Sequence, residues 1–144
     1  MIKSVWKFGK IDEIEVVRKK VGDTFSASDE RSMQLILYND DMPVSSGSLY
    51  FENGAYHIAH ICVIPEYQNK YIGDMLVRVL LFKGFNMMAE RIVVAPTKST
   101  VEFFKKYGFK SISESEMELT PQTLILEGKC GHDCSNCINR DLCK

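Results

Sequence analysis

The sequence predicts an α+β fold: a mixed, largely antiparallel sheet with helices on both faces. Three observations point there. The chain has 144 residues, 45% apolar and 26% charged, which suits one domain with a single core. Apolar runs near its middle are separated by short turn signals, as in hairpins. After those hairpins, segments of strand and helix character alternate, which places helices over a sheet.

Taken in order, Ile2 to Phe8 is rich in β-formers and reads as a first strand. Ile11, Ile14, Val17 and Val21 then fall at helical spacing, with Gly22 as the stop. The polar stretch "DTFSASDERS" reads as a loop holding at most a helical turn. "MQLILY" is a buried strand, "NDD" a turn and "VSSGSLYFE" its hairpin partner. "NGA" makes a second tight turn, because Asn-Gly accepts the positive φ such turns need. "YHIAHICVIP" follows as a central strand. Ile72, Met75, Leu76, Val79 and Leu80 then trace one apolar helix face. "RIVVA" is a short buried strand and "STVEFFKKYGF" a compact helix, with Ser99 and Glu102 as a capping box and Gly108 at its left-handed end. Strand character returns at Phe109 to Ile112, Met117 to Leu119 and Thr123 to Leu126.

The formal net charge of −1 gives no general pull toward nucleic acid or an anionic membrane. "MIKSVWKFGKIDEIEVV" carries neither an unbroken apolar stretch nor a cleavage-like site, and no apolar run is long enough to cross a bilayer. The expectation is a cytoplasmic protein. In a reducing compartment, clustered thiols point to metal more than to disulfides. Of the five cysteines, Cys62 stands alone, while Cys130, Cys134, Cys137 and Cys143 crowd the C-terminal end.

The passage "VIPEYQNKYIGD", Val63 to Asp74, runs from strand through loop into helix. That order sets unpaired N–H groups at a helix N-terminus, where the dipole favours an anion. It is no Walker A loop, for no second glycine is followed by Lys-Ser or Lys-Thr, and with Gly73 alone it is no dinucleotide fingerprint. By itself the loop reads first as an ordinary strand-to-helix connection.

Its surroundings say more. "AHICVIPEYQNKYIG", Ala59 to Gly73, resembles the acetyl-CoA-binding segment of the GNAT-type N-acetyltransferase superfamily: a strand ending in Val-x-Pro, then Gln or Arg-x-x-Gly-x-Gly or Ala, then a helix. Val63, Pro65, Gln68 and Gly73 match. Some thirty residues on, "VEFFKKYGF" resembles the second signature, a short helix ending in Gly-Phe. The resemblance extends from Ile2 to about Leu126 and implies the acyl-CoA N-acyltransferase fold. It further implies that backbone N–H groups of Gln68, Asn69, Lys70, Tyr71, Ile72, Gly73 and Asp74 hold the coenzyme A pyrophosphate, and that the backbone of Cys62, Val63 and Ile64 pairs with the pantetheine arm. Tyr71 departs from the pattern. A positive φ there costs a bulky residue about 1–2 kcal/mol, which affinity survives, and its ring can lie along the adenine or ribose.

Acyl transfer from a thioester to an amine requires a neutral amine, and a lysine-like amine of pKa about 10.4 must first lose a proton. In histone-acetyltransferase-like relatives a carboxylate base precedes the Val of Val-x-Pro by six residues. The matching position here is His57, an imidazole able to accept a proton at neutral pH. His60 is the second candidate, on the opposite face if pairing stays regular. The competing reading for both rings is plain hydrogen bonding within or beside the core. The family's leaving-group acid is a tyrosine in a Phe-Tyr pair. Here the pair is Phe103-Phe104, so Tyr107 is the substitute, with core packing as the competing role. The acceptor, a small-molecule or protein amine, is not legible. Asp29 and Glu30 in the polar loop read either as an attraction for a cation or as solvated surface.

"CGHDCSNCINRDLC" spaces its thiols as Cys-x3-Cys-x2-Cys-x5-Cys. Zinc sites more often use two separated pairs, whereas compact runs resemble iron–sulfur ligation. Cys130, Cys134, Cys137 and Cys143 are thus candidate ligands of zinc or an iron–sulfur cluster. The expected organisation is an acetyltransferase domain over 1–128 and a metal-binding tail over 129–144, with a homodimer through exposed strand edges compatible. The leading expectation is an acetyl-CoA-dependent N-acetyltransferase. The alternative is a non-catalytic acyl-CoA or metal/redox sensor that kept the fold.

Overall fold

The structure is a computed structural model and describes residues 1–68 and 70–125. Its seven strands form one sheet in the order β1-β2-β3-β4-β5-β7-β6. These are β1 (Ile2–Phe8), β2 (Met33–Asn39), β3 (Met42–Glu52), β4 (Ala55–Val63), β5 (Ile92–Val94), β6 (Lys110–Ser111) and β7 (Met117–Leu119). Three α-helices accompany them: α1 (Asp12–Lys20), α2 (Ile72–Asn86) and α3 (Val101–Lys105). All strand pairs are antiparallel except β4 and β5. The predicted mixed sheet is therefore the observed one.

Adjacent residues of β3 show how the helices divide between the faces. Gly47 meets α2: a Cβ there would lie 2.8 Å from Leu80 Cδ1, so only glycine lets the helix sit this close. Ser48, pointing the other way, accepts a hydrogen bond from Arg18 of α1 at 2.9 Å. Each face thus has its own filling. On the α2 face, Leu76, Val77 and Leu80 are fully buried, as are Leu35, Leu37 and Leu49 of the sheet. The buried stripe of α2 is Ile72, Leu76, Val77, Leu80, Leu81 and Gly84; Met75, expected inside, is 40% exposed.

The Asn53-Gly54 turn takes positive φ at both residues, as predicted. Two local expectations are corrected. Thr100, not Ser99, precedes α3, and its hydroxyl accepts from the Thr97 N–H at 2.9 Å, so no Ser99–Glu102 capping box forms. Thr123 lies in a turn rather than a strand, bonded back to Thr120, and Leu126 lies outside the described residues. The polar loop after α1 does hold a helical turn, a 3-10 segment at Ala27–Arg31. Within it Asp29 is fully buried, neither solvated nor open to an acceptor.

Candidate functional site

The site is organised by a fault in β4. Its register against β3 slips between the Ser46–Cys62 and Ser48–Ala59 pairs, leaving an extra residue in β4. His60 takes up that bulge with φ 53°, a left-handed value rarely adopted by a side-chain-bearing residue in a strand. β4 and β5 pair only over Tyr56–Ile92, His57–Val93 and Ile58–Val94. Beyond Val94 the chain reaches Pro96, which has no N–H to continue the ladder. The two strands therefore part. Cys62 and Val63 pair with Ser46 and Ser45 on the β3 side, and Ile64 N–H donates to Val44 O at 3.0 Å, while among the described residues no strand pairs with their other edge.

The opening is a cleft lined by Ile58, Ala59, His60 and Ile61 of β4, by Val94 to Thr97 after β5, and by Thr100, Phe103 and Phe104. Its volume of about 230 Å³ suits an acyl thioester and the end of a thin arm, with the rest of a larger molecule outside.

At one end of the cleft α2 begins. Tyr71 precedes it with φ 63° and ψ 11°, so the strain foreseen for a residue at this position is present, and the residue is 61% exposed. Met75 N–H donates to Tyr71 O at 3.0 Å, while Ile72, Gly73 and Asp74 occupy the first helical turn, where N–H groups lack helical acceptors. Gly73 has helical backbone and only ordinary space around it, with Val63 and Phe103 near 4 Å. Gln68 Nε2 donates to Val63 O at 3.0 Å, tying loop to strand. Lys70 sits over the Tyr67 ring, whose hydroxyl accepts from Asn39 Nδ2 at 2.6 Å. Asn69 lies outside the described residues.

The bulge also redirects one of two histidines on β4. His57 stacks on Tyr50 with ring centroids 5.1 Å apart, and its Nε2–H donates to Glu52 O at 3.2 Å. It does not line the cleft. His60, expected on the opposite face under regular pairing, is swung by the bulge to the α1 face, the face of Tyr50 and Ser48. There His60 Nδ1 lies 2.7 Å from Asp23 Oδ2 and Nε2 3.0 Å from Ser26 Oγ. Burial pushes the Asp23 carboxyl up, but hydrogen bonds from His60 and the Thr24 N–H outweigh it and hold it below the usual carboxylate range. Asp23 and Ser26 were not found from sequence, since they lie 37 and 34 residues from His60. The one local signal is the Ser-x-x-Asp pattern of Ser26 and Asp29, seen here as a 2.7 Å bond from Ser26 N–H to the Asp29 carboxylate.

Beneath lies a buried ion pair. Arg18 grips Asp29 with two bonds of 2.7 and 2.8 Å, and Gln34 Nε2 adds a third at 2.9 Å. Burial raises the Asp29 carboxyl, yet Arg18, the Ser26 N–H and Gln34 together force it far below its ordinary value. Cys62 is buried, its thiol pushed up to about 12 by burial and then by Asp23, toward which it points at 3.5 Å.

Tyr107 is placed elsewhere. Its side chain is buried, and its hydroxyl donates to the Asp74 carboxylate. Arg78 Nε donates to Asp74 at 2.9 Å and Lys106 Nζ lies 3.4 Å from it. Burial, then the Asp74 bond, raise the phenol well above its ordinary value. Asp74 is pushed up by burial but held below the carboxylate range by Tyr107 and Arg78. Tyr107 thus braces α3 against the start of α2, outside the cleft lining. Cys130, Cys134, Cys137 and Cys143 lie outside the described residues, and among the described residues no group of three or more His, Cys, Asp or Glu is placed to hold a metal. No described helix is long and apolar enough to cross a membrane.

Known proteins resemble this chain in sequence or in fold. A curated relative, "Uncharacterized N-acetyltransferase YjcF" of Bacillus subtilis (strain 168), is 23% identical over 88 residues, covering 61% of this chain and 63% of its own length. The chain thus spans under two thirds of that relative. An acyl-CoA N-acyltransferase structure from Pseudomonas aeruginosa superposes with a TM-score of 0.73 at 12% identity, over 82% of this chain and 99% of that one. N-acetylglutamate synthase from Neisseria gonorrhoeae, solved with coenzyme A and N-acetyl-glutamate, gives 0.67 at 15% identity, over 82% of this chain and 35% of that one. These likenesses concern the fold. Residues 10–119 match the family described as Acetyltransferase (GNAT) domain, and with most of its length inside that match, the chain belongs to the GNAT acetyltransferase family.

Proposed function

We propose that the protein transfers an acetyl group from acetyl-CoA to a primary amine, with His60 as the base. The observation that carries this reading is the parting of β4 from β5 with His60 on its lip. A thioester entering the cleft would lay its arm along the open edge of Cys62 to Ile64. Its diphosphate would meet the N–H groups from Gln68 to Asp74, whose charge-assisted bonds are stronger than neutral ones.

In the transfer, an ammonium acceptor gives one proton toward His60 Nε2 and becomes nucleophilic. The amine nitrogen attacks the thioester carbon, the C–S bond breaks, and the second nitrogen-bound proton passes to the departing thiolate. The products are the amide, coenzyme A as its thiol, and one proton on the imidazole for release to solvent. A thiol of pKa about 8.5 leaves without a strong acid. This matters because Phe103 and Phe104 bring no hydroxyl and Tyr107 is engaged with Asp74. We assign His57 a packing role against Tyr50.

The test is release of free thiol from acetyl-CoA with a panel of primary amines, alongside calorimetry of acetyl-CoA binding. Thiol release with at least one amine supports the reading. Tight binding with no release from any amine at high enzyme would favour a sensor that kept the fold, which the missing leaving-group hydroxyl makes the specific competitor.

For the C-terminal segment the sequence alone supports a reading. We propose that Cys130, Cys134, Cys137 and Cys143 bind one metal centre. Elemental analysis and a visible spectrum of anaerobically purified protein distinguish zinc from an iron–sulfur cluster; finding neither overturns it. The formal net charge of −1 is consistent with a cytoplasmic protein acting on a small-molecule or protein amine rather than on nucleic acid or a membrane, and light scattering tests for a homodimer.

A further inference from the structure

The groups around His60 form a chain whose direction is fixed by chemistry. The Asp23 carboxylate has only lone pairs to offer, so the 2.7 Å contact makes Nδ1 the protonated nitrogen. In the neutral ring Nε2 must then be the acceptor, and its neighbour at 3.0 Å is the Ser26 hydroxyl, which donates to it. Ser28 Oγ lies 2.9 Å from Ser26 Oγ and completes the turn around it. From this we infer a positioning residue and a proton relay for the base: Asp23 locks His60 in the Nδ1–H tautomer, and Ser26 passes the acceptor's proton to Nε2.

The inference rests on the acetyltransferase reading and adds its proton path. In the relay the acceptor's N–H proton moves to Ser26 Oγ while the hydroxyl proton moves to Nε2. Serine is regenerated and imidazolium results. The ring's positive charge is then offset by Asp23 and by Asp29, whose Oδ2 lies 3.9 Å from Nε2. The charged and titratable groups facing His60 are Asp23, Asp29 with its partner Arg18, and Cys62 beside Asp23. Across the cleft, the lining contributed by the end of β5, the connection after it and α3, Pro96, Phe103 and Phe104 among it, carries no titratable side chain. The geometry of an aspartate, a histidine and a hydroxyl in line is one that works by role rather than by fold.

The experiment combines ring-nitrogen NMR of histidine-labelled full chain with a pH profile of transfer. His60→Gln assigns the signal. The wild-type spectrum is expected to show Nδ1 protonated and Nε2 bare, and Asp23→Asn to lose that pattern. Asp23→Asn and Ser26→Ala should bind acetyl-CoA as the wild type does, yet transfer about 100-fold more slowly at pH 7. The deficit should shrink toward pH 10, where a lysine-like amine of pKa about 10.4 increasingly sheds its own proton. Asp23→Glu should restore both tautomer and rate in large part, and it keeps the test alive if the asparagine variant does not fold. A bare Nδ1 in the wild type, or deficits that stay constant with pH, would overturn the proposal. The expected tautomer in a protein that acetylates no amine would instead overturn the acetyltransferase reading and leave the Asp23–His60 clamp standing.

Discussion

Two single residues carry left-handed backbone at the site, and neither is glycine. Tyr71 and His60 have φ of 63° and 53°, values that cost an ordinary side chain about 1–2 kcal/mol each. At Tyr71 the strain shapes the entry to α2; at His60 it accompanies the swing of the ring to Asp23. Because the requirement at Tyr71 is for backbone shape, a β-branched residue should meet it worst and glycine best. We expect Tyr71→Ile to lower unfolding free energy by roughly 1 kcal/mol more than Tyr71→Gly does, and to weaken acetyl-CoA binding, read by urea titration and calorimetry. A glycine variant weaker on both counts would show that the ring, not the turn, matters there. The departure at Tyr71 was visible in sequence, and so was the conformation it must adopt. The swing of His60 was not, because alternation along a strand is counted as regular until a bulge interrupts it, and nothing in "AHICV" marks the interruption.

Among the elements, the join of α2 to α3 decides how firmly the loop is held. Asp74 in the first turn of α2 gathers Tyr107, Arg78 and Lys106, two of them from beyond α3. Tyr107→Phe removes a hydrogen bond to a charged group and should cost about 1–3 kcal/mol of stability. Acetyl-CoA affinity should fall with it, while transfer at saturating acetyl-CoA changes little. A large loss of saturated rate with unchanged affinity would instead make Tyr107 the leaving-group acid. Element by element, most of the secondary structure was legible, because hairpin turns and helical stripes leave local patterns. What was hidden are relations between elements. The capping box at Ser99 and Glu102 was a valid local pattern, but α3 starts one residue later, with Thr100 at its N-cap and its hydroxyl turned back to the Thr97 N–H. Asp29 reads as a surface acid in "DTFSASDERS", and only tertiary structure brings Arg18 and Gln34 to it.

For the molecule as a whole, the Arg18–Asp29 pair fastens α1, the 3-10 turn, β2 and β3 to one another through Gln34 and Ser48. Removing one partner from a fully buried pair leaves a charge without compensation, so Asp29→Asn should destabilise the protein by about 3–5 kcal/mol, measured by denaturant unfolding. The same carboxylates set the acid response. Asp23, Asp29 and Asp74 all ionise more readily folded than unfolded. The stability they add is present above the unfolded carboxylate pKa of about 3.9 and drains away as pH falls through the lower folded values. Melting temperature should therefore drop below about pH 4, and Asp29→Asn should flatten that decline. A wild-type melting temperature unchanged below pH 4 would remove these groups from the account.

The most direct trial of the site is a pair of alanine variants on β4, assayed for thiol release with the best amine from the panel. The cleft geometry predicts that His60→Ala loses about 100-fold or more at neutral pH while His57→Ala stays within a few-fold of wild type. A large loss in His57→Ala beside a nearly unaffected His60→Ala would contradict it.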